Sequence, residues 1–260
     1  NPDTGITLNN NLTVGGTIEA SNFKQEGTNF TGSLLVGHST TGTLNAAEHN
    51  TGVGLGVLDA ITSGDNNTAV GGQALTANTT GSKNTTVGKD SLKTNTTGYS
   101  NAALGYRTLE YNTIGSRNTA VGAYAMYCNT TGAHNAVLGY SALCKNTTGI
   151  QNTAIGTCAL NANTIGSNNT ALGFEALKSN TTGNYNVAMG TYALYTNTTG
   201  KCNVAIGFDS LKANTIGIDN VAIGHMALCT NTTGINNTAL GALALTANTT
   251  GVRNTAIGHC

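Results

Sequence analysis

Tryptophan is missing from this sequence, proline occurs once, and only 8% of the residues are charged. Each shortage removes a class of explanation. The 11 basic and 11 acidic side chains cancel, and so thin a charge is unlike a typical disordered chain, which is kept open by repulsion and low hydrophobicity. It also leaves no electrostatic footprint for nucleic acid, whose phosphates call for a basic face. No column of Lys or Arg recurs along the chain, so no nucleic-acid partner is expected. No apolar run approaches the roughly 20 residues that cross a bilayer, which predicts no membrane insertion. The opening NPDTGIT has neither Met nor a charged segment leading into an apolar one, so no signal peptide is expected in this form. The 35 glycines lack the GXY period of collagen.

What is present is a repeat of 17 residues. Written out at Asn203 it reads NVAIGFDSLKANTIGID, and at Asn169 NTALGFEALKSNTTGNY. The anchor asparagines, counted as position one, run from Asn67 to Asn254 without a slip. A short fixed period marks a repeat architecture in which each unit buries its apolar face only against its neighbours. Function is therefore to be sought on a rod, not in a pocket. Val36, Val53 and Val70, each followed by Gly, extend the register back two units in degraded form. Residues 1–32 do not match the unit and are read as an N-terminal cap or attachment segment, with short strands around Leu12 and Val14. The expected organisation is that cap followed by an all-β parallel solenoid, or β-roll, over residues 33–260.

Two columns of the unit are read as structural core. Position four is always aliphatic and always precedes Gly: Val70, Val87, Leu104, Val121, Leu138, Ile155, Leu172, Met189, Ile206, Ile223, Leu240 and Ile257. Position nine is Leu75, Leu92, Leu109, Met126, Leu143, Leu160, Leu177, Leu194, Leu211, Leu228 and Leu245. A β-branched residue at position two would share the face of position four, with small Ala between them, so NTAIG reads as a short strand ended by its glycine.

Positions seven and ten carry opposite charges in four units: Asp90 with Lys93, Arg107 with Glu110, Glu175 with Lys178 and Asp209 with Lys212. Side chains three apart meet on a helical turn and diverge on a strand. One turn of helix and a second strand both remain open for this segment. The closing NTTG or NTIG supplies Asn and Gly, which tolerate left-handed backbone, for a turn. If units stack as β-rungs about 4.8 Å apart, the anchors Asn84, Asn101, Asn118, Asn135, Asn152, Asn169, Asn186, Asn203, Asn220 and Asn237 align into a side-chain amide ladder. Two longer rhythms ride on the period. NTIG replaces NTTG every third unit, at Asn112, Asn163 and Asn214, while Tyr106, Tyr140, Phe174 and Phe208 fill position six every second unit. The alternation of bulky and small residues there suggests interdigitation with another surface.

The motifs NTAVG, NTAIG and NVAIG, followed by xxAL and a later Gly, resemble the head repeat of trimeric autotransporter adhesins, also familiar in tail fibres of phages and other viruses. The resemblance covers residues 33–260. It implies a left-handed β-roll, trimeric assembly and attachment to a surface. The longer unit departs from the family pattern, and no anchor barrel or coiled-coil stalk follows. A fibre or filament component therefore fits better than a bacterial autotransporter.

No catalytic constellation is present, and no enzyme activity, cofactor or metal site is expected. His38, His49, His134, His225 and His259 are scattered; only His225 and His259 share a column. The cysteines Cys128, Cys144, Cys158, Cys202, Cys229 and Cys260 include no CxxC pair. Only Cys128 and Cys144 fall at nearly equivalent places on adjacent units, where a disulfide competes with the reading of small, reduced, mildly apolar residues. The NTT column supplies glycosylation sequons at Asn78, Asn95, Asn129, Asn146, Asn180, Asn197, Asn231 and Asn248, usable only if those Asn do not turn inward. A Thr array at Thr79, Thr80, Thr96 and Thr97 would suit ice binding, against which stand the Ile of every third unit and the habit of turn Thr to bond backbone. Calcium lacks its GGxGxD signature. The expected function is a non-enzymatic structural or adhesive fibre rod on a virion or in the extracellular space. It would be a homo-oligomer, a trimer or an end-to-end filament, meeting a cell-surface receptor or glycan. A self-polymerising filament subunit is the alternative, since the last unit breaks off at Cys260 as an open rung.

Overall fold

The structure, a computed structural model, describes residues 46–259 and four short strands nearer the N-terminus. Those strands are β1 (Thr7–Leu8), β2 (Leu12–Thr13), β3 (Phe23–Gln25) and β4 (Leu34–Val36). The cap expected over residues 1–32 otherwise lies outside the described residues. β1 and β2 pair antiparallel, and β3 lies antiparallel on β4 at the edge of the main sheet. From β4 onward, one strand of three residues recurs every 17 positions, from β5 (Thr51–Val53) to β17 (Thr255–Ile257). Successive strands pair in parallel in one 15-stranded sheet that includes β3. The register is the sequence period itself: Val36 faces Val53, Val53 faces Val70, and Ile206 faces Ile223. The chain is thus an all-β parallel solenoid with one repeat per rung.

The strand sits at positions two to four, as NTAIG suggests, but its phase is the reverse of the one expected. Position three points inward: Ala69, Ala120, Ala154, Ala171, Ala188, Ala205 and Ala222 are wholly buried. Position four therefore points out, because neighbours on a strand face opposite ways. Val87, Leu104, Leu138, Ile155, Leu172, Met189, Leu240 and Ile257 are exposed, and Val70, Val121, Ile206 and Ile223 are half-buried. These residues are not core. Seventeen residues enclose so small a cross-section that the strand offers mostly Ala to the inside, with Thr86 and Val137 the larger buried members of the column, where it meets the column at position nine. From Leu75 to Leu228 that column is fully buried, as expected of it, while Leu245 is half-buried near the end of the described rod.

The segment from position five to twelve is neither helix nor strand. It is a run of overlapping β-turns, shown by Ala74 N–H donating to Gly71 O (3.1 Å), Tyr127 N–H to Tyr124 O (3.3 Å) and Asn78 N–H to Leu75 O (3.1 Å). A β-turn also brings residues three apart together, so the charge pairs at positions seven and ten form without a helix. Lys93 Nζ lies 3.2 Å from Asp90, Arg107 Nε 3.2 Å from Glu110, Lys178 Nζ 2.6 Å from Glu175, and Lys212 Nζ 3.0 Å from Asp209.

Three non-glycine residues per rung take left-handed backbone, at positions seven, nine and seventeen; in one rung these are Gln73 (φ 61°), Leu75 (φ 51°) and Lys83 (φ 61°). The reason is geometric. Ala74 and Leu75 are consecutive and both buried, which an extended chain forbids and a left-handed residue allows. Each such residue costs about 1–2 kcal/mol, and the conformation persists because bonds to both adjacent rungs over-determine it. Gln73 N–H donates to Leu55 O of the rung before, and Leu75 N–H to Ser91 O of the rung after. Lys83 is exposed and touches no core, so it isolates the backbone effect. Lys83→Gly should hold or raise the thermal midpoint, while β-branched Lys83→Val should destabilise by about 1–3 kcal/mol. Thermal denaturation of the two variants checks the sign.

Candidate functional site

The interior is divided between Leu and Ala on one side and two columns of asparagine on the other. Position one carries the expected ladder. Asn84 Nδ2 donates to Asn67 Oδ1 at 3.2 Å, and the same bond recurs at Asn101, Asn118, Asn135, Asn152, Asn169, Asn186, Asn203, Asn220 and Asn237. The acceptor oxygen also takes the backbone N–H of the next anchor, as Asn135 Oδ1 does from Asn152 N–H at 2.9 Å. The second Nδ2 hydrogen goes to the position-fifteen glycine of its own rung, Asn152 to Gly166 O at 2.9 Å. An amide offers two donors and two acceptor lone pairs, and Asn152 uses all four.

A second ladder stands at position twelve. Asn163 Nδ2 donates to Asn146 Oδ1 at 2.9 Å and to the same Gly166 carbonyl at 2.9 Å. Both ladders therefore converge on one glycine oxygen per rung. A Cβ on Gly81 would collide with Asn78 Oδ1 and with the carbonyl of Gly98 in the rung above, which is why this position is glycine without needing positive φ. The ladder also decides the sequons. Asn78, Asn95, Asn129, Asn146, Asn180, Asn197 and Asn231 are wholly buried with their Nδ2 engaged, and Asn248 Nδ2 is bonded to Asn231. A glycan at the buried seven would require the rungs to open.

Threonine at position thirteen is likewise committed. Thr79 Oγ1 donates to Thr96 O at 3.1 Å, and that carbonyl also receives the N–H groups of Thr79, Thr80 and Gly81. Of the array considered for ice binding, the Thr79 and Thr96 hydroxyls serve the backbone instead, and in the column of Thr80 and Thr97 every third rung carries Ile114, Ile165 or Ile216, each 53% exposed.

Chemistry-bearing side chains sit on the turn face. Asp90 is buried between Lys89 Nζ (2.9 Å) and Lys93, with Arg107 at 3.9 Å. Burial pushes its carboxyl up, but hydrogen bonds and attraction from Lys89 and Lys93 outweigh this and hold it below the usual value. For Glu110 burial dominates, Arg107 offsets only part of it, and its carboxyl titrates higher than usual. Around them Tyr106, Tyr124, Tyr127 and Tyr140 meet edge to face, with Arg107 5.3 Å from the Tyr106 ring. The Tyr127 phenol is pushed up to about 12, first by its hydrogen bond to Tyr111. Sequence reasoning saw the position-six rings but missed Tyr124 and Tyr192, whose place beside the small Ala123 and Thr191 was the available signal.

Five cysteines are free thiols, Cys128 and Cys144 among them, so the disulfide considered between them is not formed. Cys260 lies outside the described residues. Burial raises the Cys144 thiol to about 11, which keeps it unreactive near neutral pH. His134 lies 3.4 Å from Arg117 across one rung, and His225 stacks on Phe208. Among the described residues no three His, Cys, Asp or Glu side chains are grouped to hold a metal ion. No helix there is long and apolar enough to cross a membrane.

Asn152→Asp keeps size and acceptors but loses both donors and sets an anion against Asn135 Oδ1 and Gly166 O. It should destabilise by at least about 3 kcal/mol, while Asn236→Asp, on an exposed position-seventeen residue, should be near neutral; denaturant melts compare the two. A second expectation concerns pH. The depressed Asp90 carboxyl contributes stability above its unfolded value near 4 that is lost as pH falls through its lower folded value. Asp90→Asn should therefore melt earlier than the parent at pH 7, with the gap closing under stronger acid. Glu110, shifted the other way, should lose nothing at pH 7 on Glu110→Gln.

Comparison of the chain with protein-family models, with curated proteins and with solved structures returns no match.

Proposed function

We propose that this chain is a non-enzymatic rod, the shaft or adhesive surface of a fibre carried on a virion or in the extracellular space, and that it works as a homo-oligomer. The observation that carries the reading is the unbroken stack itself. Thirteen parallel pairings from β4 to β17, those from β5 onward locked by amides at the centre, make a body about 4.8 Å longer per rung. Such a body spans distance and repeats a surface. The resemblance of NTAIG and xxAL to adhesin-head and tail-fibre repeats supports the same class.

The homo-oligomer rests on the outward column at position four. Leu104, Leu138 and Leu172 are 49, 50 and 40% exposed, all in one line on a sheet face. The fold does not need these side chains, and a contiguous apolar strip of this kind marks an interaction surface. Side-by-side packing of copies, as in the trimer that the resemblance implies, covers it.

The particle mass in solution tests this reading. Sedimentation should give a small multiple of 26.2 kDa, and the pair Leu138→Lys with Leu172→Lys should reduce it to one chain while leaving the thermal midpoint of the rung stack nearly unchanged. A wild-type monomer would sink the homo-oligomer. Filaments much longer than one chain would replace side-by-side packing with end-to-end polymerisation.

A further inference from the structure

Tyr106, Tyr140, Phe174 and Phe208 stand at position six of alternate rungs and are 39, 54, 43 and 45% exposed. Their separation is two rungs each time, roughly 9.6 Å. Ala123, Thr157 and Thr191 occupy the rungs between, while at the two ends of the row Lys89 Nζ lies 5.8 Å from the Tyr106 ring and His225 stacks on Phe208. The rings are held in place from below. Tyr124 lies edge to face with Tyr106 at 5.4 Å and with Tyr140 at 6.1 Å; Tyr192 repeats the arrangement with Phe174 at 5.6 Å and Phe208 at 6.3 Å. Four rungs apart, the chain has built the same aromatic support twice.

Three of the four rings have an ion pair on their own rung: Arg107–Glu110, Lys178–Glu175 and Lys212–Asp209. The cations are about a third exposed while their carboxylates are largely buried. The row thus offers half-exposed apolar rings flanked by hydrogen-bonding groups, with nearly balanced charge. A single-stranded nucleic acid would also stack on such rings, but it needs a positive groove for its backbone.

We infer that this row is a binding track for a neutral, extended, β-linked polysaccharide of the cellulose or chitin type, lying along the rod axis. Pyranose rings joined equatorially present C–H faces that cover aromatic rings and hydroxyls at their edges that the ion pairs meet. In a two-fold ribbon alternate sugars are turned over, so the same face returns every second sugar. That distance is close to two rungs of this solenoid. A polymer with the matching repeat engages all four rings at once, and short fragments engage fewer, which makes length the reporter of the track.

The inference rests on the adhesive part of the proposed function, and its test is separable from the assembly test because particle mass is read independently. Calorimetry of the full chain with cellohexaose and chitohexaose should detect binding to at least one of them. Affinity should rise steadily from the disaccharide to the hexasaccharide and change little with salt. Replacing Tyr106, Tyr140, Phe174 and Phe208 together by Ala should weaken hexasaccharide binding by about tenfold or more, equivalent to 1.4 kcal/mol. Thr191→Glu, which places a charge between Phe174 and Phe208 without removing a ring, should also weaken it and guards against a folding defect in the fourfold variant. The track is overturned if the wild type binds neither hexasaccharide, if both variants bind as the wild type does, or if the only polymer bound is oligothymidylate in a salt-sensitive way. A wild-type chain that has the particle mass of the oligomer but binds neither hexasaccharide would sink the track and leave the rod reading standing.

Discussion

The amide of the anchor asparagine, satisfied on every lone pair and every hydrogen, is the constraint from which the rest of this rod follows. An unsatisfied buried amide is expensive in a medium with no water, so once the first Asn is inside, the next must lie one rung above it. Two ladders and a shared glycine carbonyl then fix three points of each rung relative to the last. A unit of sixteen or eighteen residues would miss all three together. The invariance of the 17-residue period is the sequence trace of this closure. All the Nδ2-to-Oδ1 bonds in both ladders also point the same way along the axis, and aligned chains of hydrogen bonds polarise and strengthen one another.

The ladders also explain why the interior is so narrow and the backbone so strained. With Asn filling one half, the other half has room for one Leu and two small residues per rung. Wrapping so small a section calls for a perimeter of tight turns, with Leu itself in the left-handed region. No single rung could sustain that backbone. Its N–H groups bond to both the rung before and the rung after, so strain in one rung is carried by its neighbours, and stability behaves as a sum of interfaces along one dimension.

The period, the strand at positions two to four, the register back to Val36 and the anchor ladder could all be read from the sequence, because each is a repeated identity that stacking requires. The phase of the strand could not be read from hydrophobicity alone. Large Val, Leu and Ile at position four suggested burial, yet the correct clue was the column at position three, small in nearly every rung, as a narrow interior opposite Leu favours. The turn segment was obscured for a related reason. Pairs such as Glu175 and Lys178 are three apart on a helical turn and across a β-turn alike. The adjacent, doubly buried Ala–Leu at positions eight and nine excludes an extended strand but is open to helix and turn alike; the positive φ at positions seven and nine, which rules out the helix, is visible only in the structure.

The longer rhythms bear on what the outside is for. A packing constraint inside the rod acts identically on every rung and cannot generate a period longer than one. The second-unit rhythm of aromatics and the third-unit rhythm of Ile114, Ile165 and Ile216 occur only at positions six and fourteen, both of them outward. Duplication of a block would impose one common period on all outer positions. The two periods differ and share no short multiple below six rungs, so a single duplicated block accounts for at most one of them. The aliphatic column at position four follows neither, recurring on every rung as an edge-to-edge contact between like rods would ask. Three outer columns thus carry three different spacings on a ruler that the interior sets.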